Sequence, residues 1–225
     1  MTITPDTLYS VLHYSLAEYP FPRLITELLG EKDLSVLRDD ELPVHSRETD
    51  NKTKWHQRFY AGREVWAPLY HHFVMSFVAA QLSEPFYFQA IPTFRVHLPQ
   101  NVAVGAYHSD GDYGHPAGEI NLWVPLTRAS GTCSVFIEEG HDRRRSISAW
   151  PGDVVVFDAV ARRHGNEVNG ERFSRVSFDF RVLPCRLYRE TDARSVNMGK
   201  RFVPGEYYSD CVVTGRAWPM NLACA

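Results

Sequence analysis

The stretch Ser146-Ile-Ser-Ala-Trp-Pro-Gly-Asp-Val-Val-Val-Phe157 contains two strand-like runs, 146–150 and 153–157, joined by the turn Pro151-Gly152-Asp153. Short runs of β-branched or aromatic residues beside a Pro-Gly turn are typical of antiparallel strands. Further runs of this kind lie at 86–91, 93–98, 102–107, 119–126, 133–138 and 175–182. No helix-length segment separates them, which disfavours a βαβ arrangement. The pattern predicts a mainly β fold, a double-stranded β-helix of the jelly-roll or cupin type.

The chain before residue 85 has a different pattern and predicts flanking α-helices. Leucines recur at helical intervals in 7–29, with breaks at Pro20 and Pro22, and apolar residues do so in 58–82. The polar stretch 39–54 between them reads as a loop. We therefore expect one domain over 1–225, which comprises a mostly helical part (1–84), the β-helix core (85–184) and a covering tail (185–225).

Composition narrows the function classes. The 225 residues carry a formal net charge of −3 and are 44% hydrophobic, which suits one globular core and gives no basic stripe for nucleic acid. No run of about eighteen apolar residues predicts a membrane span, and the start of the chain lacks the pattern of a secretory signal. The four cysteines form no C-x-x-C pair and are expected to be reduced thiols. We expect a cytoplasmic monomer or homodimer that acts on a small molecule, without nucleic acid or membrane partners.

The first candidate for chemistry is His108-Ser109-Asp110, directly after the predicted strand 102–107. Alternate residues of an extended chain point to one side, so an imidazole and a carboxylate can supply two vertices of a 2-His-1-carboxylate iron site. The motif alone is weak, because a chain with 10 histidines and 27 acidic residues contains about one such triplet by chance. A surface turn is the alternative.

The second candidate is His164, which follows the strand 153–157. A strand launched from the Pro-Gly turn can return to the mouth of the barrel and bring this histidine to the first pair. The alternative is a solvated loop histidine beside Arg162 and Arg163. The sequence thus predicts a metal site of His108, Asp110 and His164, which are also the predicted catalytic residues.

The third candidate is Arg175 with Ser177, on one face of the strand 175–182. A guanidinium beside a hydroxyl suits the distal carboxylate of a keto acid such as 2-oxoglutarate. The alternative is a surface ion pair of Arg175 with Asp179 or Glu171. The nearest rival arginines are Arg172 and Arg181.

The order H-x-D, then H, then R-x-S resembles the Fe(II)/2-oxoglutarate-dependent dioxygenase superfamily. More closely, Val104-Gly-Ala-Tyr-His-Ser-Asp-Gly-Asp-Tyr-Gly-His115, Gly118-Glu-Ile-Asn-Leu-Trp-Val-Pro-Leu-Thr127, His164-Gly165-Asn166, Arg175-Val-Ser-Phe-Asp-Phe-Arg181 and Phe202-Val-Pro-Gly-Glu-Tyr-Tyr208 resemble StrG-like proteins of streptomycin-type aminoglycoside pathways. The resemblance covers about residues 90–210. It implies Fe(II), 2-oxoglutarate and O2 as cofactors and oxidation of a polar small molecule. In related halogenases a small residue replaces the carboxylate, so the presence of Asp110 favours a hydroxylase-type outcome.

Other residues near these motifs are weaker candidates. Asn121 and Trp123 share one face of the strand 119–126, which we expect to point inward with Asn121 near the cosubstrate. The opposite register would make both structural. Substrate contacts are expected from the loop after the metal motif and the opening of the next strand, at Asp112, Tyr113, His115 and Glu119. The carboxylates there would pair with ammonium groups. The alternative is turn chemistry, with the cavity lined by the C-terminal tail instead.

The substrate predicted on these grounds is an aminoglycoside or aminocyclitol-type intermediate of antibiotic biosynthesis. Hydroxylation and oxidative ring closure, for example to an acetal or orthoester, both remain open. Two other enzyme readings are a cupin-like sugar epimerase or isomerase without redox chemistry and an amino-acid hydroxylase of the same superfamily. A binding module that has lost its metal is disfavoured by the intact H-x-D…H set.

Overall fold

The computed structural model describes residues 8–39, 49–104, 106–140 and 143–210. The strands are β1 (Ser10–His13), β2 (Phe86–Phe88), β3 (Thr93–His97), β4 (Ile120–Pro125), β5 (Phe136–Glu138), β6 (Arg144–Ser146), β7 (Asp153–Phe157), β8 (His164–Gly165) and β9 (Arg175–Pro184). The helices are α1 (Phe21–Leu29), α2 (Lys54–Ala61), α3 (Arg63–Phe73) and α4 (Ala79–Gln81), with a π-helical turn at Val74–Val78 between the last two. Short 3₁₀ turns lie at Leu34–Val36, Asp110–Tyr113, Gly131–Cys133 and Cys185–Leu187.

In the described residues, two antiparallel sheets form the β part. The larger has the order β1-β7-β4-β9-β2, with β3 also paired to β9. The smaller has the order β6-β5-β8. β9 is the central strand, and all ten of its residues are buried, because both faces of the larger sheet are covered.

The two faces of β9 differ in chemistry. Val176, Phe178, Phe180 and Val182 join the hydrophobic core formed with the N-terminal helices. The alternate residues Arg175, Ser177, Asp179 and Arg181 are therefore on the opposite face, since side chains alternate along a strand. Arg95 of β3 is paired with Ser177 of β9, and Asn121 of β4 is paired with Arg181 of β9. The polar face therefore extends across three strands. The register thus collects charged groups on the inner face of the sheet.

The helices cover the outer face. α1 begins beside Pro20 and Pro22 and ends at Gly30, whose φ of 68° provides a left-handed cap. α2 is capped by Thr53, whose side chain accepts from the backbone N–H of His56. At Gly62 a Cβ would lie 2.3 Å from Leu28 Cδ1, so glycine permits α1 and α2 to approach. In the described residues no helix is long and apolar enough to cross a membrane.

Several sequence expectations were wrong in detail. Ser10–His13 is not helical but pairs with β7, because Val11 and its neighbours cover the sheet edge. The strand expected at 102–107 does not form in its described residues, and the chain there makes only an isolated bridge from His108 to His164. The strand expected at 146–150 is displaced to Arg144–Ser146. The predicted loop 39–54 and the predicted tail 185–225, which includes Cys211, Trp218 and Cys224, fall partly outside the described residues.

Candidate metal centre and adjoining cavity

The three predicted metal ligands lie together. One ligand atom from each of His108, Asp110 and His164 falls within 4.8 Å of the others. The Nε2 atoms of His108 and His164 are 3.5 Å and 3.7 Å from Asp110 Oδ1. His108 and His164 are held by reciprocal backbone hydrogen bonds of 3.0 Å and 2.8 Å, and Asp110 opens a 3₁₀ turn capped by Ser109. The expected strand is therefore replaced by a bridge and a turn that produce the same convergence.

The two imidazoles are oriented by the backbone. His108 Nδ1 lies 3.0 Å from the carbonyl oxygen of Ala106, and His164 Nδ1 lies 3.0 Å from that of Arg162. A carbonyl only accepts, so each Nδ1 carries the proton and each Nε2 presents a lone pair. Such second hydrogen bonds fix the tautomer of metal-binding histidines. Burial lowers the pKa of His164, which favours the neutral, ligating form.

The carboxylate of Asp110 is shared between the triad and Arg181. Its Oδ2 accepts from Arg181 Nη2 at 2.8 Å and from Nε at 3.1 Å, so Oδ1 is the oxygen that faces the histidines. Asp110 is 2% exposed. Burial raises its pKa, but Arg181 and the two histidines outweigh burial and hold the pKa well below its usual range. The residue is therefore an anion ready to bind a cation.

Arg181 is the functional residue that sequence reasoning underrated. It also donates to Asp179 Oδ2 and, at 3.4 Å, to Gln89 Oε1. Asp179 in turn contacts Arg95 Nε at 3.4 Å. The signal available in the sequence was the alternation Arg175, Ser177, Asp179, Arg181 on one strand face, which marks a polar inner face rather than a single binding arginine.

A narrow slot adjoins the metal centre and holds the predicted cosubstrate residues. Its volume is about 40 Å³, and its lining includes Asn121, Trp123 and Arg175 together with both triad histidines. Arg175 is 1% exposed, donates to Ser177 Oγ at 2.9 Å and lies 5.4 Å from the Trp123 ring. Neither alternative partner binds it, because Asp179 contacts Arg95 and Arg181 while Glu171 contacts Thr132.

Polar atoms in this slot lack partners. Arg175 Nε, Asn121 Oδ1 and Trp123 Nε1 are buried without a hydrogen bond among the described residues. Burial lowers the pKa of Arg175 to about 10, so the side chain is still a cation at neutral pH. Buried polar groups are seldom left unpaired in native proteins unless a ligand or water serves them. The slot is therefore suited to an anionic, hydrogen-bonding ligand.

Behind Arg175 lies His97, which sequence reasoning did not single out. Its Nε2 lies 2.9 Å from the carbonyl oxygen of Asn101, and its Nδ1 lies 3.4 Å from Arg175 Nη2. Burial and the charge of Arg175 lower the pKa of His97 to about 3. The neutral ring thus donates to the carbonyl and accepts from the guanidinium, which fixes the direction of Arg175.

A larger cavity of about 270 Å³ also adjoins the triad, with His108 and Asp110 in its wall. It shares Arg95, Val104, His108 and Arg181 with the slot. Its wall includes Asp50, Gln89, Thr93, Ala106, Asp110, Tyr113, His115, Ser195, Val196, Asn197, Met198 and Tyr207. The size and the mixed polarity suit a small polar molecule. Residues from the C-terminal part line it, as one of the alternatives read from the sequence anticipated.

The four predicted substrate residues divide into two groups. Tyr113 and His115 line the cavity. Asp112 does not, because it caps the Asp110–Tyr113 turn together with Ser109 and is largely exposed. Glu119 is fully buried and bonded to His115 and Tyr208, so its carboxylate is not available to a substrate ammonium. The structure therefore does not support ammonium pairing by Glu119, whereas a substrate contact at Asp112 stays a prediction.

The residues present fit a mononuclear iron ion and a keto acid. Two imidazole nitrogens and one carboxylate oxygen converge, which is the donor set of non-haem Fe(II) oxygenases. The slot beside them contains the Arg175 cation and polar atoms without partners among the described residues. It suits a keto acid whose second carboxylate would bind Arg175.

Comparison with solved structures identifies the fold. The non-heme alpha ketoglutarate dependent carbocyclase SnoK from nogalamycin biosynthesis shares 14% identity, covers 93% of this chain and 93% of its own, and gives a TM-score of 0.54. The non-heme monooxygenase ThoJ in its apo form shares 14% identity, covers 90% and 84%, and gives a TM-score of 0.50. The fold is that of the jelly-roll, cupin-type non-haem oxygenases, which confirms the predicted fold class.

Sequence comparison then places the chain more narrowly. No family model matches it. The streptomycin biosynthesis protein StrG of Streptomyces griseus is 42% identical over 200 residues, which cover 89% of this chain and 97% of StrG. The chain belongs to the StrG family, and the resemblance read from its motifs is confirmed.

Proposed function

We propose that the protein is an Fe(II)- and 2-oxoglutarate-dependent oxygenase that acts on a polar intermediate of aminoglycoside-type antibiotic biosynthesis, by hydroxylation or oxidative ring closure. Two adjoining features carry the proposal. One is the His-Asp-His donor set, and the other is a buried arginine in the slot that has no carboxylate partner among the described residues. An acid-base epimerase or isomerase would have no use for the second feature.

Separate groups of residues would bind iron, 2-oxoglutarate and the substrate. His108, Asp110 and His164 would hold iron through the atoms that face one another, while Arg181 keeps Asp110 ionised and oriented. Arg175 and Ser177 would bind the distal carboxylate of 2-oxoglutarate, with Asn121 and Trp123 contributing their unpaired polar atoms. The larger cavity would hold the substrate.

When bound, iron with 2-oxoglutarate and O2 supplies the oxidising power. The coproducts of that chemistry would be succinate and carbon dioxide, and the substrate would gain a hydroxyl or, in ring closure, lose two hydrogens as water. Membership of the StrG family supports an antibiotic-pathway substrate. We further propose that the protein works as a monomer or homodimer.

The test is an anaerobic titration of the purified protein with Fe(II) and 2-oxoglutarate, which should produce the weak visible charge-transfer band of the chelate. His164→Ala should abolish the band. Arg175→Ala should require much more 2-oxoglutarate, whereas Arg172→Ala should titrate as the wild type does. A wild-type protein that binds Fe(II) but gives no band with 2-oxoglutarate would contradict the proposal.

The substrate class is tested separately in air. Amino-sugar and aminocyclitol, amino-acid and lipid panels are offered with Fe(II), ascorbate and 2-oxoglutarate, and succinate is measured. Stimulation by aminocyclitols or amino sugars is expected. Stimulation confined to amino acids would instead establish the amino-acid hydroxylase alternative, and conversion of a sugar without succinate would establish the epimerase.

A further inference from the structure

One polar part of the cavity wall is not used by the metal or the cosubstrate slot. His115 and Ser195 both line the cavity. They come from distant parts of the chain, the loop before β4 and the C-terminal part after β9.

The His115 ring is held in place by a buried carboxylate. Its Nδ1 lies 2.6 Å from Glu119 Oε2, and the Glu119 side chain is fully buried. The Tyr208 hydroxyl donates to the other carboxylate oxygen, Oε1. A carboxylate only accepts, so Nδ1 carries the proton and Nε2 is the polar atom that the ring has left for a ligand.

Aromatic contacts restrict the same ring. The Phe202 and Tyr207 rings have centroids 4.5 Å and 5.7 Å from that of His115. The imidazole therefore cannot turn freely, and its direction is fixed before any substrate arrives. Such fixation lowers the entropic cost of binding.

Ser195 supplies a second, independent observation. The residue is 5% exposed, and its Oγ has no hydrogen-bond partner among the described residues. Its backbone is fixed, because Ser195 N donates to Lys200 O and Gly199 N donates to Ser195 O, each at 2.8 Å. A buried hydroxyl without a partner destabilises the free protein and is uncommon in native structures. Because Ser195 is part of the cavity wall, a ligand bound there could supply the missing partner.

Three carboxylates near this wall have partners within the protein. Glu119 is already bonded twice, and Asp110 belongs to the triad and Arg181. Asp179 is paired with Arg95 and Arg181. A fourth carboxylate, that of Asp50, lines the same cavity and also has an interaction within the protein. His115 Nε2 and Ser195 Oγ offer two hydrogen-bonding atoms at this wall, which suit a hydroxyl.

We propose that His115 and Ser195 form a subsite that binds a hydroxyl group of a polyhydroxylated ring substrate, with Glu119 acting as the positioning residue for His115. This subsite deepens the proposed function and rests on it. The substrate would be recognised at this wall by a ring hydroxyl. The Ser195 hydroxyl can donate as well as accept, so one substrate hydroxyl or two neighbouring ones can be held.

The experiment uses the Fe(II)·2-oxoglutarate form under anaerobic conditions. Streptomycin, streptamine and myo-inositol are titrated into it, and the change in the visible chelate band gives a Kd for each. Wild type is compared with Ser195→Ala and His115→Phe, the latter retaining a ring against Phe202 and Tyr207. His72→Phe and Ser76→Ala are the matched controls, because these two exposed residues form a His–Ser contact of 3.3 Å on α3 and the following turn.

We expect at least one of the three compounds to perturb the band, and Ser195→Ala and His115→Phe each to raise its Kd about 10-fold, the cost of one lost hydrogen bond. The band without added compound should be unchanged in both variants. Ser195→Ala should melt at or above the wild-type temperature, because it removes an unpaired buried hydroxyl, whereas a structural serine would melt lower.

Absence of the band in wild type would overturn the proposed function itself. A normal band that none of the compounds perturbs, or an equal Kd in wild type and Ser195→Ala, would overturn the subsite alone. If His115→Phe is unstable, Glu119→Gln provides the second measurement. It keeps the size of the side chain and should weaken binding less than Ser195→Ala, while the control variants bind as wild type does.

Discussion

The two ends of the polar face of β9 carry the same residue type in opposite situations. Arg181 is surrounded by carboxylates, from Asp110 and Asp179, and donates to both. Arg175, six residues earlier on the same face, contacts a serine, a neutral histidine and an indole ring. Both carboxylates beside Arg181 belong to the protein, whereas Arg175 has no carboxylate partner among the described residues and would be neutralised by an anionic ligand. Arg181 thus supports the metal site through Asp110, and we propose that Arg175 binds a ligand.

This contrast has an energetic consequence. Removing one member of a buried ion pair strongly destabilises a protein, because the other charge is left buried without a partner. A buried charge that never had a partner already lowers the stability of the unliganded protein. Stability therefore depends on Arg181 and ligand affinity depends on Arg175. Substitutions that measure stability and ligand affinity separately can test this difference between the two arginines.

Asp110→Asn should reduce turnover to background and abolish tight iron binding, because it removes the only anionic donor of the triad. Iron affinity is measured by titration under anaerobic conditions. Asp112→Asn is the matched control, since Asp112 is an exposed carboxylate two residues away that caps a turn. Normal iron affinity in Asp110→Asn would remove Asp110 from the site.

Arg181→Met should destabilise the protein by about 3–5 kcal/mol, because two buried carboxylates lose their common partner. Arg175→Met should leave the unliganded protein equally stable or make it more stable. Both are measured by urea unfolding without iron or 2-oxoglutarate. Equal destabilisation by the two substitutions would show that Arg175 has a structural partner after all.

Arg175→Ala should raise the 2-oxoglutarate requirement about 100-fold while iron affinity is unchanged, because a desolvated charge-assisted contact is worth a few kcal/mol. Ligand-induced thermal stabilisation supplies a second measurement, since a ligand that binds only the folded state raises the melting temperature. 2-Oxoglutarate with Fe(II) should stabilise wild type and should add little to Fe(II) alone in the variant. Arg172→Ala serves as the control for loss of a nearby arginine.

His97→Gln should have the smallest effect, and its sign depends on pH. The pKa of His97 is lowered from 6.5 to about 3 in the folded protein. The unfolded state therefore binds more protons between these values, and stability falls as pH decreases from about 6.5 towards 3. The loss of unfolding free energy between pH 7 and pH 4 should be smaller in His97→Gln than in wild type. The 2-oxoglutarate requirement at pH 7 should rise about 5- to 10-fold, because Arg175 loses one orienting hydrogen bond. An unchanged pH dependence would contradict burial of a neutral His97.

Predictions from local sequence pattern were most accurate where polar residues alternate along a strand. The alternation along 175–182 indicated that Arg175 and Ser177 share a face, and the structure places them 2.9 Å apart. The same pattern on 119–126 placed Asn121 and Trp123 inward, where both line the slot. Strand periodicity is a property of the backbone and survives in any tertiary context.

Predictions from local pattern were less accurate where contacts between distant segments decided the conformation. The segment containing Ser10–His13 has leucines at helical spacing but pairs with β7, since an open sheet edge offers it more hydrogen bonds and burial than a short helix would. The acidic groups Asp112 and Glu119 looked like substrate ligands, but one caps a turn and the other is bonded internally. The pairing with β7 is not encoded in local spacing, whereas the Ser109–Asp112 capping box and the i,i+4 contact of His115 with Glu119 are local patterns that were not recognised.

The sequence by itself determined the fold class and the identities of the groups that could hold iron and 2-oxoglutarate, because strand alternation and ligand type are local properties. Only the tertiary structure decided which charges neutralise one another. Arg181 lies 71 residues from Asp110 along the chain, yet its guanidinium is 2.8 Å from that carboxylate. Arg175 has the same side chain but no carboxylate partner in the part of the chain that the structure describes. Coulombic pairing in a buried site depends on separations of a few ångströms, and the pairing of β9 with its neighbouring strands sets those separations.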